Sequence, residues 1–240
     1  VTQAPELKMV SFHYDKSRSA KVARRLIPPD YGGILQTDGY ESYGWVDKAM
    51  DIVHAGCMAH SRRKFDEALT NDKARASAAL SIFKEIFAVE ALARESDLNA
   101  VQRLELRTEK SVPLMTQLKS WCMQEIRNVT PSSLIGKAMN YTLNQWSRLE
   151  QFLYNGRIEI SNNLIENLIR PLAVGRKNWL FAGSEEGARR LAIIYTVLAT
   201  CRLNDVNPFD YLCHVLEELP KRKANDVEDL LPMNWKNPAE

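Results

Sequence analysis

The chain of 240 residues lacks any apolar run long enough to span a bilayer; the longest, around Leu191 to Cys201, is short and interrupted. Its N-terminus lacks the basic and apolar blocks of a signal peptide. Membrane partners are therefore not expected. Cysteine is scarce: Cys57, Cys122, Cys201 and Cys213 are scattered without a pairing pattern, which excludes a disulfide framework and fits reduced thiols in a cytoplasm. Cys57 and His60 form a Cys-x2-His unit, but no second ligand pair of suitable spacing follows, and His54 and His214 are poorly placed, so a structural zinc centre is not expected. Internal repeats and low-complexity tracts are also missing. Net charge is only +2, so any anionic partner must be met by local clusters: Arg62-Arg63-Lys64, Arg176-Lys177, Arg189-Arg190 and Lys221-Arg222-Lys223. Each cluster taken alone also reads as a solvated face.

What is present is an ordinary soluble composition, 45% hydrophobic and 26% charged, enough to bury the core of one large domain or two small ones. The first seventy or so residues read as α/β. Leu7 to Tyr14 is strand-like, Ser17 to Leu26 reads as a short basic helix ended by Pro28 and Pro29, and Gly33 to Thr37 is a short apolar run typical of a buried strand. Tyr40 to Met50 is expected to be helical and Asp51 to Ala55 extended. From about Ser61 to Tyr154 strand signals vanish and apolar residues recur at three and four. Leu80, Phe83, Ile86, Phe87, Val89 and Leu92 give one face; Leu114, Leu118, Trp121, Cys122 and Ile126 a second; Met139, Leu143, Trp146, Leu149, Phe152 and Leu153 a third. Gly156 to Ile160 reads as a brief extended segment. Ser184 is placed to cap a long helix through Leu203, Asn207-Pro208 to open a last one ending near Leu219, and Trp235 to pin the charged tail.

The segment from Ser161 to Ser184 concentrates the chemistry. Leu164, Ile165, Leu168 and Ile169 give an amphipathic helical face, leaving Asn162, Asn163, Glu166, Asn167 and Arg170 for the other. Ser161 is a plausible N-cap, and Pro171 is expected to end or kink the helix. Arg176, Lys177 and Trp179 follow as a basic and aromatic cluster suited to a phosphate backbone. The alternative is a surface helix with a solvated Glu166–Arg170 pair. Asp38 directly follows the buried strand candidate, at the end where α/β sheets hold ligands. A carboxylate there and another on a packed helix suit shared divalent cations and phosphodiester chemistry. Asp38-Gly39 is equally a common turn pair.

QTDGYESYGWV, then GCMAHSRRKF, then NNLIENLIRPLAVGRKNWLFAGSEEGARRLAIIYTVLATCRLNDVNPFDYL, and the closing LLPMNW resemble bacterial transposases of the insertion-sequence-sixty-six type. The resemblance runs from about Gly33 to the end and is weakest in the helical middle. It implies an α/β, ribonuclease-H-like mixed sheet with a large all-helical insertion and C-terminal helices. In that scheme residues 1–69 are the first part of the catalytic domain and 70–154 the insertion. Residues 155–204 are its last part, with the Glu-bearing helix, and 205–240 the C-terminal helix and tail. The resemblance further implies an Asp-Asp-Glu triad binding two Mg2+ (or Mn2+) ions, with Asp38 as its second acid and Glu166 as its third. Arg170, Arg176, Lys177 and Trp179 fall in the family's basic segment, where DNA contact is implied; His60, Arg62, Arg63, Lys64 and Asn162 are further candidates. DNA, as transposon ends and target, is the implied partner, with homo-oligomers in the active state.

One departure stands out. The family's first acid belongs to an Asp-Glu-Thr motif on the first strand, and no such triplet precedes Asp38. Leu7 to Tyr14 is followed closely by the basic helix, as the fold's third strand would be, and Asp15 is the only nearby acid after a strand. The expectation is therefore a chain that begins inside the catalytic domain, with first strands missing and little strand transfer by itself. Three readings remain: a transposase catalytic domain, a catalytically inactive remnant that binds DNA or oligomerises, and a ribonuclease-H-like nuclease without strand transfer.

Overall fold

A computed structural model describes residues 1–17 and 19–237. Arg18 of the basic helix and residues 238–240 of the tail lie outside the described residues. In chain order the strands are β1 (Thr2–Ala4), β2 (Met9–Ser11), β3 (Gly33–Gln36) and β4 (Ile52–Ala55). The helices are α1 (Ala20–Leu26), α2 (Met58–Ala68), α3 (Lys73–Glu95), α4 (Ala100–Leu106), α5 (Val112–Glu125), α6 (Leu134–Asn144), α7 (Trp146–Leu149), α8 (Asn163–Trp179), α9 (Glu185–Leu203) and α10 (Pro208–Glu218). The mainly helical α/β character expected from the pattern is present. Among the described residues the strands pair as two two-stranded sheets, where the resemblance implies one mixed sheet. The chain divides into two units, one of Arg18–Asn163 and one of Val1–Ser17 with Leu164–Glu240.

In the unit of residues 18–163, β3 and β4 run parallel, in register from Gly33↔Ile52 to Gln36↔Ala55. The expected helix between them forms instead as 3-10 turns at Glu41–Tyr43 and Val46–Lys48, since Gly39 and Gly44 weaken any continuous helix there. α2 turns Met58, Ser61, Phe65 and Ala68 inward, three and four apart, onto α3, α5 and α6. The first two apolar faces read from sequence are realised as core, except that Leu92 of the first is exposed. Phe83, Ile86, Leu118 and Cys122 are buried, with Phe65 and Phe83 rings 5.6 Å apart and tilted. Burial drives the Cys122 thiol pKa up to about 12, so it packs as a small hydrophobe. The third face is core too, but a turn after Asn144 splits it among α6, α7 and a 3-10 turn at Glu150–Leu153. Each large side chain sealed in this way contributes about 1.5–3 kcal/mol.

Between α4 and α5 lies a π-turn, Arg107–Ser111, where the Val112 amide reaches back to the Arg107 carbonyl. Pro113 has no amide hydrogen to continue the α pattern, and the wider turn absorbs that loss. Arg107 is fully buried. Its guanidinium grips the equally buried Glu90 carboxylate at 2.7 and 2.8 Å and donates to the carbonyls of Phe152 (2.8 Å), Asn155 (3.1 Å) and Ile158 (2.9 Å). Arg103 joins the same Glu90 to Glu159. Burial works against the Glu90 charge, but the hydrogen bonds and charges of Arg107 and Arg103 prevail and hold its pKa below the usual range. The result is a clamp on residues 152–159. Gly156 completes it: a Cβ there would lie 1.8 Å from the Ala100 carbonyl oxygen, so only glycine allows the approach.

In the other unit, β1 and β2 form an antiparallel pair, Thr2↔Ser11 to Ala4↔Met9. The expected strand is thus shorter than Leu7 to Tyr14 and gains a partner the sequence does not advertise. Threonines of α9 satisfy the free edge of β2: Thr200 Oγ1 accepts the Val10 amide (3.4 Å) and donates to its carbonyl (3.2 Å), and Thr196 Oγ1 accepts the Phe12 amide at 2.9 Å. Leu168, Ile169 and Leu172 of α8 pack with Val10, Phe12 and Ala199. The inward stripe is therefore set one turn later than expected, and Leu164 is half exposed. α8 starts after Asn162 rather than Ser161 and runs through Pro171 to Trp179, which excludes an end at the proline. The packing of Leu168, Ile169 and Leu172 on either side of the proline offsets the lost backbone bond. Ser184 caps α9 by accepting the Gly187 amide at 2.9 Å, and Asn207 caps α10 through the Phe209 amide at 3.0 Å. Trp235 fastens the tail by donating to His214 Nδ1 (3.0 Å) and meeting Tyr211 edge-on.

Candidate functional site

Asp38 follows the C-terminal end of β3, with only Thr37 between them. Its side chain is exposed, and Oδ1 accepts the Tyr40 amide at 3.0 Å, closing an Asx turn. The turn is held from behind. Tyr141 on α6 donates to the Asp38 carbonyl (3.2 Å), and Gly39 takes φ +82° beside the same hydroxyl. A Cβ on Gly39 would meet Tyr141 Oη at 2.7 Å, so both conformation and space select glycine. Gln36, two residues before Asp38, donates from Nε2 to the carbonyls of Gly56 (3.0 Å) and Glu159 (2.7 Å).

Sequence reasoning passes over the groups directly behind Asp38. Thr37 and His54 are both buried, and Thr37 Oγ1 lies 2.8 Å from His54 Nε2. His54 Nδ1 is 2.6 Å from Asp47 Oδ1, and Arg148 Nε donates to the same oxygen at 2.9 Å, while its Nη2 holds Oδ2. Burial lowers the His54 pKa, and Asp47 restores it only in part. Burial alone would raise the pKa of Asp47, but the hydrogen bonds from Arg148 and His54 bring it below the usual carboxylate range. Asp47, His54 and Arg148 are up to 101 residues apart in sequence, so no local motif announces them.

On α2, the inward spacing of Met58, Ser61, Phe65 and Ala68 leaves Arg62 and Arg63 exposed. Lys64 and His60 are part-exposed. Arg62 reaches Asp66 at 3.6 Å and Lys64 reaches Glu67 at 3.7 Å, helix pairs that a phosphate can outcompete. An open groove of about 710 Å3 runs between α2 and α3, with Leu80 and Phe87 along it and Arg62, Lys84 and Asn163 beside them. Asn162 is part-buried; its backbone amide faces Cys57 Sγ at 3.5 Å, and its side-chain oxygen is buried without a hydrogen-bond partner among the described residues.

α8 carries Glu166 in its first turn and Arg176 and Lys177 in its last, where cations complement the helix dipole. Glu166 is part-buried, whereas Arg170, Arg176 and Lys177 are exposed. Trp179 ends the helix partly exposed, and Leu180 and Phe181 project after it. Leu180 at φ +53° and Gly183 at φ +78° turn the chain into the Ser184 cap. Asp38 and Glu166 belong to different units. Their hard carboxylate oxygens are the donors a magnesium-like cation takes. No group of three or more His, Cys, Asp or Glu side chains converges on a possible metal position among the described residues. Asp38 thus fits as one such ligand, not as part of a finished cage. No helix of the described residues is long and apolar enough to cross a membrane.

The chain is thus of the α/β class, with Asp38 following the parallel strand β3 and Glu166 on a helix that ends in cations. Residues 1–190 match the family described as Transposase IS66 family, and residues 196–233 match the IS66 C-terminal element. The chain belongs to the IS66 transposase family. Relatives include the uncharacterized protein y4qI of Sinorhizobium fredii, 38% identical over 241 residues, which covers 96% of this chain and 44% of the relative. The uncharacterized protein y4hP of the same organism is 37% identical over 86% of this chain and 40% of its own length. A third, y4jD, is 31% identical over 98% of this chain and 47% of the relative. The chain therefore spans less than half the length of these relatives. No solved structure matches it.

Proposed function

We propose that this chain is catalytic-domain sequence of a DDE-type transposase, acting on transposon-end and target DNA in nicking and strand transfer. The observation that carries the reading is the exposed Asp38 carboxylate at the C-terminal end of a parallel strand, within the span matched by the transposase family. Asp38 and Glu166 are the metal-binding acids, and Mg2+ or Mn2+ would supply activation of the attacking oxygen and stabilisation of the leaving one. Arg62, Arg63, Lys64 and His60 on α2, with Asn162, and Arg170, Arg176, Lys177 and Trp179 on α8, hold phosphates and position the duplex. The order strand pair, helix, Asp-bearing strand, strand, helices, Glu-bearing helix supports a ribonuclease-H-like domain in residues 1–69 and 155–204, interrupted by residues 70–154.

Two measurements on the purified chain test this. Fluorescence anisotropy with labelled transposon-end duplex should show binding that weakens steeply with salt. Mn2+ titration followed by electron paramagnetic resonance should show a bound ion lost in Asp38→Asn and weakened in Glu166→Gln. Binding of DNA with no Mn2+ response to Asp38→Asn would leave a DNA-binding remnant and remove the catalytic reading. Hydrolysis of the duplex without end joining would identify a nuclease instead.

A further inference from the structure

Thr37, the residue just before Asp38, is buried and bonded on both sides. Its amide donates to the Ala55 carbonyl at 3.0 Å, extending the β3–β4 ladder by one step, and its hydroxyl meets His54 on β4. The hydrogen atoms can be assigned along the whole line. With His54 neutral and Asp47 ionised, the Nδ1–H donates to Asp47, which leaves Nε2 as an acceptor. Thr37 must then donate its hydroxyl hydrogen to Nε2, and its oxygen lone pairs are free to accept the Gly39 amide, 3.4 Å away. Asp47 is anchored in turn by two nitrogens of Arg148, whose third nitrogen donates to Gln145 Oε1 at 2.7 Å and whose carbonyl accepts the Gly56 amide at 2.8 Å. The line therefore reaches from α7 to the backbone on both sides of Asp38. It has one internally consistent direction.

We infer that Thr37, His54, Asp47 and Arg148 form a positioning relay that sets the Asp38 turn so that its carboxylate is presented for a divalent cation. This rests on Asp38 being a metal ligand, as proposed above. The relay acts through Thr37 and touches neither cation nor substrate, so its members are positioning residues. Its parts suit the task. The hydroxyl of Thr37, at the exit of β3, bonds both the strand neighbour and the turn. The imidazole, sealed between Thr37 and Asp47, fixes the rotamer of that hydroxyl. Arg148 ties the turn of residues 46–48 to α7, so the far end of the line rests on the helical core rather than on solvent. Supporting groups of this kind commonly change metal affinity by about ten- to a hundredfold when removed.

The test uses Mn2+ affinity, read by electron paramagnetic resonance on the chain, with thermal unfolding recorded for every variant. Thr37→Val keeps the shape and removes the hydroxyl; it should weaken Mn2+ binding by about tenfold or more, and Thr37→Ser should restore it. Arg148→Met, at the far end of the line, is the second variant and should weaken binding by a smaller factor while Glu166→Gln retains its own separate effect. Wild-type affinity in folded Thr37→Val and Arg148→Met overturns the relay while leaving Asp38 as a ligand. Loss in Thr37→Val that Thr37→Ser fails to restore also overturns it, since the hydroxyl alone would then not account for the affinity. If the unaltered chain binds Mn2+ identically to Asp38→Asn, the ligand assignment itself fails and the relay falls with it.

Discussion

The interior of residues 18–163 and the α8–α9 region handle charge in opposite ways. In the first, Glu90 and Arg107 are sealed from solvent and their partners are fully specified. In the second, α8 has no fully buried residue, and Arg176 and Lys177 stand in solvent. The same contrast holds for apolar groups: Phe65, Phe83 and Met139 are fully covered, whereas Phe181, Ile193 and Phe209 are largely exposed. The difference teaches that the charges in the helical core serve architecture, holding the segment of residues 152–159 in place. The cations Arg170, Arg176 and Lys177 on α8 stand exposed instead. A sealed charge is expensive to disturb and an exposed one nearly free, so mutagenesis can break or sharpen this division.

The largest effect is expected at the clamp. Arg107→Met leaves the Glu90 carboxylate buried with Arg103 as its remaining cation among the described residues, and should cost about 3–5 kcal/mol in urea unfolding. Replacing both partners, Arg107→Met with Glu90→Leu, should recover much of that loss, because no charge is then stranded. An Arg107→Met variant of unchanged stability would show the clamp to be ornamental. Next come the apolar cores. Phe83→Ala empties a fully buried site and should cost about 3–5 kcal/mol, whereas Leu172→Ala, on the half-covered stripe of α8, should cost less than about 2 kcal/mol. Equal losses would erase the distinction between the two regions.

How much of this is legible in the sequence follows from the range over which each signal acts. Caps and helical periods are local, so α9 with Ser184 and α10 with Asn207-Pro208 are legible residue by residue; the strand ahead of Asp38 is legible as a strand, but it is part-buried rather than buried. The pin at Trp235 is legible too, as an isolated aromatic in a charged tail. A single helix over residues 40–50 is the wrong reading because two glycines outweigh the apolar pattern. Pro171 reads as an end or a kink, and of the two the end is excluded, because tertiary packing outweighs a local rule and the helix runs on to Trp179. Glu90 does leave a trace: Phe83, Ile86, Glu90 and Ala93 share one helical face, so an acid stands in a core register. Its partner Arg107 lies 17 residues away and nothing in the pattern names it. The relay behind Asp38 is hidden for the same reason, since hydrogen bonds between distant residues have no period.

A smaller effect is expected at the entry to α9. Ser184→Ala removes the acceptor for the Gly187 amide, 2.9 Å away, and should cost about 1 kcal/mol, with Ser184→Asp retaining the cap and favouring the helix dipole. Thermal unfolding of the three forms ranks them. A loss above about 2 kcal/mol would mean that the turn from Leu180 to Gly183 is held by the cap rather than by its own backbone.

The smallest change in stability is expected for Arg176→Ala with Lys177→Ala. Both side chains are exposed on the last turn of α8, so unfolding should shift by no more than about 0.5 kcal/mol for each. Their effect should surface only with DNA present. Removing one phosphate-binding cation lowers the slope of log affinity against log salt by about 0.9 for duplex DNA, so the double variant should flatten that slope by nearly two. Affinity should fall by a similar factor for unrelated duplexes of the same length, because cations that bind phosphate carry no sequence information. If the double variant unfolds early and binds DNA with an unchanged salt slope, these cations belong to the architecture after all, and the division between sealed and available charge has to be redrawn at α8.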